Sequence, residues 1–229
     1  MDPIEKRARL AGLLYLAFAI LAIFGYMYVP GAFVVPGDAG ATARRITEGA
    51  TLYRLGIAAS LLGQIVFVAL ALSLYELFED VDRSKARLLV ALVCVGATAE
   101  IVNLANRVAP LVLLSGADFL SAFTRAQLEA LALSFLRLGS HMGQMLTAFW
   151  GLWLFPFGLL TIRSGYFPRA LGVLLFVSGA AYTGTCVVRL VFPAQFHLIA
   201  PIVTPLYLGE VAMVLWLPLV GARMPRSKP

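Results

Sequence analysis

Charge is scarce in this chain: 13% of its residues are Asp, Glu, Lys or Arg, against roughly a quarter in a soluble domain. With 61% hydrophobic residues, a water-soluble globule is excluded. Cysteine and histidine are scarcer still, at two each. Cys94 and Cys186 fall at different depths of their apolar segments, so two free thiols are expected rather than a disulfide. His141 and His197 come with neither an HExxH pattern nor a cysteine pair at ligand spacing, so no metal site is expected. Bis-His haem ligation needs two helical histidines at matching depth, and only His141 qualifies. No lysine lies inside an apolar segment, which excludes a rhodopsin-like Schiff base, and no Gly-rich phosphate loop follows a strand. The composition therefore names no cofactor.

What the chain has is apolar length. Its hydrophobic residues gather into six blocks of about 20 or more, each enough to cross a hydrocarbon core of about 30 Å. The expected fold is all-α: a polytopic membrane protein, a bundle of six transmembrane helices over 10–29, 53–78, 87–114, 128–162, 169–192 and 199–221, in one membrane domain covering 1–229. A formal charge of +6 would suggest nucleic acid in a soluble protein. Here the basic residues sit in short connections, so the expected partner is the lipid bilayer and not nucleic acid.

Alternating sides along the chain, one face receives Lys6, Arg7, Arg9, Arg83, Lys85, Arg87, Arg163, Arg169, Arg223, Arg226 and Lys228. The other receives only Arg44, Arg45, Arg54 and Arg125. That bias places both termini in the cytoplasm. The first block follows Lys6, Arg7 and Arg9 as a signal peptide would. Its apolar run is longer than the usual 7 to 15 residues, however, and the small residues Ala39-Gly40-Ala41 lie well beyond its end, so a retained first helix is expected.

The connections carry their own signals. Asp38, after Pro30, Pro36 and Gly37, is a good N-cap for a short helix through Arg44 and Arg45. Thr124-Arg125-Ala126-Gln127 has capping-box spacing and predicts the start of helix four. From there to Ile162 the helix is too long for one upright span. The inner connections, Glu79 to Ala86 and Ser164 to Pro168, are short, so their neighbouring helices pack antiparallel. Gly139 and Gly143 form a GxxxG spacing suited to a close helix contact, and Trp150, Trp153 and Trp216 suit anchoring or packing.

Three basic residues, Arg107, Arg137 and Arg189, lie inside apolar segments. Glu100, Asn103 and Arg107 follow i, i+3, i+7 spacing and share one helix face, with Asn106 beside them. Arg137, His141 and Gln144 repeat the pattern in helix four, and Tyr182, Cys186 and Arg189 in helix five. Helix two adds Ser60 and Gln64, and helix six adds Tyr207 and Glu210. Ionisable groups in hydrocarbon cost at least a few kcal/mol each, so they turn toward the bundle interior or a watery cavity and pair there. By helix direction these groups converge on the outer half and the midplane. An outward-facing polar pocket is expected, formed by Glu100, Asn103, Arg107, Arg137, His141, Gln144, Tyr182, Tyr207 and Glu210. Three arginines against Glu100 and Glu210 leave it slightly positive. Arg189, near a helix end, suits snorkelling to the interface, and the two glutamates also suit structural pairs with Arg107 and Arg137.

Several stretches together resemble a known family: Tyr53-Arg-Leu-Gly-Ile57, Leu131-Ala-Leu-Ser-Phe135, Gly158, Arg163-Ser-Gly-Tyr-Phe-Pro168, Leu171-Gly-Val-Leu-Leu175 and Gly209-Glu210. They are similar to the bacterial domain-of-unknown-function family numbered 4386, the Arg163 to Pro168 turn being the most distinctive part. The resemblance runs from the first helix to the last and implies a six-helix bacterial membrane protein, expected in the inner (plasma) membrane. It implies no reaction, cofactor or catalytic residue.

Three functions fit these residues. The first is binding, with transport as an extension, of a small lipophilic or anionic molecule in the outward pocket, Pro156, Pro205 and Pro218 offering kinks for gating. The second is an intramembrane enzyme acting on a lipophilic substrate such as an isoprenoid. Its candidate catalytic groups are Glu100, Glu210 and His141, the glutamates dividing acid and base roles. The third is a structural or accessory bundle locked by its polar groups.

Overall fold

A computed structural model describes residues 3–222, so Arg223, Arg226 and Lys228 of the basic count lie outside the described residues. Over these described residues the fold is helical, with five helices long and apolar enough to cross a membrane. The first is continuous through α1 (Pro3–Ala22), a wider π-turn at Ile23–Tyr28 and α2 (Val29–Phe33). After the short α3 (Ala39–Glu48) come α4 (Ala50–Asn103) and α5 (Ala105–Leu113), then α6 (Arg125–Leu152) and α7 (Leu154–Ser164). Next are α8 (Arg169–Val191) and a final stretch of α9 (Phe196–Val203) and α10 (Leu208–Leu219) joined by a 3-10 turn at Thr204–Tyr207.

Local chemistry explains most breaks. Asp38 caps α3 by accepting from Ala41 N at 2.8 Å, and Thr124 and Gln127 exchange the two bonds of a capping box at the start of α6. The expected loop from Glu79 to Ala86 is instead helical except at Asp82 (φ −160, ψ 93). Asp82 Oδ1 accepts from Lys85 N at 3.1 Å, as an N-cap does, so the second helix begins at once. Its other oxygen accepts from Arg163 Nη1 at 2.8 Å. Helix four is interrupted at Trp153, three residues before Pro156, which has no N–H for the Leu152 carbonyl. Gly165, at φ 68, ends α7 in the left-handed conformation that glycine adopts without strain.

The chain divides into two compact units. The first takes the described part of Met1–Phe18, Ile65–Thr98 and Gln144–Pro229, the second Ala19–Gln64 and Ala99–Gly143. In the first unit Trp153 is buried, stacked on Phe157 at 5.3 Å between ring centres and edge-on to Tyr15 and Phe67. Glycines let its helices touch at the backbone: a Cβ on Gly172 would stand 2.4 Å from Ile162 Cγ1 and 2.7 Å from the Gly158 carbonyl. The second unit centres on Val29, Phe33, Ile46 and Tyr53, so α3 is held by its apolar face.

Gly172→Ala is therefore expected to cost about 1–3 kcal/mol by overpacking, lowering the apparent melting temperature in detergent by several degrees. Gly184→Ala, where no atom lies within 4 Å, is the control and should leave it unchanged or raise it. Equal effects at both sites would discard the close-packing explanation.

Candidate functional site

Pro30 sets the geometry at the centre of the second unit. In the π-turn Val29 N donates to Phe24 O rather than to Gly25 O. The next donor in π register would be residue 30, and proline has no N–H. The Gly25 carbonyl is thus without a backbone partner, a costly state in hydrocarbon. Arg107, on α5, answers it: its Nη1 donates to Gly25 O at 2.6 Å and to Ser60 Oγ at 3.2 Å. The guanidinium lies over the Tyr26 ring at 4.7 Å, and Tyr53 donates its hydroxyl proton to the Arg107 carbonyl at 2.9 Å. Gln64 Nε2 donates to the Tyr26 hydroxyl at 3.0 Å, so the ring is fixed as well.

A second set of bonds brings α6 to the same place. Asn103 Nδ2 donates to Gly139 O at 3.1 Å and lies 3.4 Å from Glu100 Oε2, while Asn106 Nδ2 donates to Asn103 Oδ1 at 3.1 Å. A Cβ on Gly139 would stand 2.9 Å from Asn106 Cβ, so glycine is what allows this approach. Arg137 and Ser140 flank Gly139 and are thereby carried to the side of Arg107.

Between these elements lies a cavity of about 370 Å³, wholly within the second unit. Val29, Val34, Ile57, Leu133 and Leu136 form its aliphatic wall, and Pro30, Pro36 and Gly56 complete the backbone side. Its polar groups are Tyr26, Tyr53, Arg107, Arg137 and Ser140. Arg137 and Ser140 are exposed and Arg107 is half-buried, which grades the cavity from an open mouth to a fixed floor. No Asp, Glu or His belongs to the lining. Among the described residues neither Arg107 nor Arg137 has a carboxylate within ion-pair distance; the ion pairs are Arg9–Glu5, Arg83–Glu79, Arg125–Glu129 and Arg163–Asp82.

The nine residues singled out from the sequence divide between the units. Glu100, Asn103, Arg107, Arg137 and His141 are in the second, and Gln144, Tyr182, Tyr207 and Glu210 in the first. Arg107 and Arg137 line the cavity, Glu100 and Asn103 bond to each other, and His141 is exposed outside the lining. In the first unit Tyr15 donates to Glu210 Oε1 at 2.5 Å, Tyr182 stacks on Tyr207 at 4.4 Å, and the Tyr207 and Thr185 hydroxyls are 2.6 Å apart. Arg189 lies over the Phe196 ring at 3.9 Å. Tyr26, Tyr53 and Ser140 were not singled out from the sequence. The available signal was Pro30, whose missing N–H predicts a free carbonyl one turn back in the chain and hence a nearby donor; the π-turn moves that carbonyl from Tyr26, its place in α register, to Gly25.

A double-mutant cycle tests that account. Arg107→Ala is expected to cost about 1–3 kcal/mol of stability, the penalty for an unpartnered buried carbonyl. In a Pro30→Ala background, which restores a backbone donor, at least half of that cost should vanish. Thermal or denaturant unfolding of the four proteins measures the coupling, and strict additivity would reject the account.

No curated protein and no solved structure matches the chain. The family described as domain of unknown function (DUF4386) matches residues 10–221, from the first apolar block to the last. With that match running through both units of the fold, the chain belongs to the DUF4386 family.

Proposed function

We propose that this protein binds a small lipophilic anion in the cavity of its second unit. The observation that carries the reading is the pair of guanidiniums, Arg107 and Arg137, on an otherwise largely aliphatic lining that holds no carboxylate. Small-molecule sites have this character, mostly apolar with a few convergent polar groups, and volumes of about 300–1,000 Å³. Binding is preferred to acid–base chemistry because Glu100, Glu210 and His141 are all outside the lining. It is preferred to a purely structural role because of Arg137. Arg107 has a backbone carbonyl to serve, whereas Arg137 has no hydrogen-bond or ion-pair partner among the described residues.

The reading includes a topology of six spans in one membrane domain. The helix Ala50–Leu113 has 64 residues, about 96 Å at 1.5 Å each, and the non-helical Asp82 supports dividing it in two. The eleven-to-four distribution of basic residues supports cytoplasmic termini, with the cavity toward the outer side. The family resemblance supports a bacterial plasma membrane.

Native mass spectrometry of the protein released from mild detergent tests the binding. The wild type should carry a stoichiometric lipophilic anion, and Arg137→Ala should lose it while melting at the temperature of ligand-stripped wild type. An empty wild type, equal in stability to the variant, would leave the structural bundle as the better reading. For the topology, a C-terminal fluorescent-protein fusion should be bright and a C-terminal alkaline phosphatase fusion inactive; the reverse pattern would overturn it.

A further inference from the structure

We infer that the anion is a phosphate monoester carried on a single apolar chain, rather than a carboxylate. This rests on the binding reading above and adds the class of ligand. The argument begins with charge. The lining holds two guanidiniums and no acid, and no described carboxylate lies within ion-pair distance of either. Two positive charges converging on one cavity, Arg107 half-buried and Arg137 exposed at its mouth, attract an anion, and the ligand that fits best returns both charges. A carboxylate brings one negative charge. A phosphate monoester brings about 1.5 to 2 at neutral pH, its second pKa being about 6.

Donor counting points the same way. Each guanidinium has five N–H groups. Nη1 of Arg107 is committed to Gly25 O and Ser60 Oγ. That leaves about three donors on Arg107 and five on Arg137, with the Ser140 hydroxyl one turn from Arg137 on the same helix. Two carboxylate oxygens offer about four lone-pair sites to this set and three phosphoryl oxygens offer more, received through the paired N–H geometry in which arginine exceeds lysine.

The rest of the lining selects for a tail. Leu133 and Leu136 on α6 face the same space as Val29, Val34 and Ile57, and no second polar cluster interrupts them. A cavity of about 370 Å³ is at the small end of ligand sites, which suits one chain better than the two of a bilayer phospholipid. The two arginines also differ in role. Arg107 is held by the fold, whereas Arg137, exposed and without a partner among the described residues, can close on the headgroup.

Calorimetric titration of the protein in a maltoside detergent at pH 8, with dodecyl phosphate, dodecanoate and inorganic phosphate in turn, decides the matter. Dodecyl phosphate is expected to bind about tenfold more tightly than dodecanoate or better. Arg137→Ala should erase that preference without lowering the melting temperature of the ligand-free protein, and inorganic phosphate should give no measurable binding. Equal affinity for dodecanoate would overturn the phosphate assignment and leave the lipophilic-anion reading standing. Inorganic phosphate binding as tightly as dodecyl phosphate would overturn the tail. Binding of none of the three would overturn this inference together with the reading beneath it.

Discussion

A carbonyl that its own helix leaves without a donor organises the second unit. Water meets such a group at no great cost, but hydrocarbon does not, so something in the protein has to reach it. Pro30 creates the need by withholding an N–H, and the π-turn at Ile23–Tyr28 places Val29 N on Phe24 O instead of Gly25 O. Arg107 meets the need from α5, and its own position is then fixed by Ser60, by the face of Tyr26 and by Tyr53 on its backbone carbonyl. The cavity floor is a by-product of that arrangement. An arginine tied by one nitrogen to a backbone carbonyl keeps its remaining donors and its whole charge, which is what an anion site requires.

Close approach of helices does the rest, and glycine supplies it in both units. In the second, Gly139 lets α6 lie against the asparagines of the preceding helices, which brings Arg137 to the cavity. In the first, Gly158 and Gly172 meet across α7 and α8, and Gly151 meets Gly179 in the same way. Small residues serve as contact points here because lipid is as apolar as leucine, so burying leucine gains little; backbone proximity and hydrogen bonds hold the helices instead. Trp153, stacked among Phe157, Phe67 and Tyr15, shows what the larger side chains do once the backbones are set.

Much of this was legible in the residues. The apolar runs located the long helices, Asp38 and Thr124 marked two starts, and Ser164 to Pro168 marked the turn that Gly165 makes. The stretch from Glu79 to Ala86 read as a loop because its charge is dense. A single Asp82 both ends one helix and caps the next, so charge density overstated the break. Among the polar residues, spacing correctly grouped Glu100, Asn103 and Arg107 on neighbouring turns but not their partners. Glu100 meets Asn103, Arg107 meets Gly25 and Glu210 meets Tyr15, none of them an ion pair. Periodicity reports which face of a helix a residue occupies, whereas a partner belongs to another helix and depends on rotation and crossing.

The amino-acid sequence by itself determined the class of the protein: hydrophobic length sets the helices, and the scarcity of charge sets where they reside, since both are sums over local residues. It also determined which few polar groups had to be accounted for. Only the tertiary structure decided that Arg107 serves a carbonyl, that Arg137 has no partner among the described residues, and that Tyr26, Tyr53 and Ser140 share their cavity. Those facts turn on a π-turn and on a glycine contact, each a shift of a few ångströms between segments far apart in the chain, and no local pattern encodes a distance of that kind.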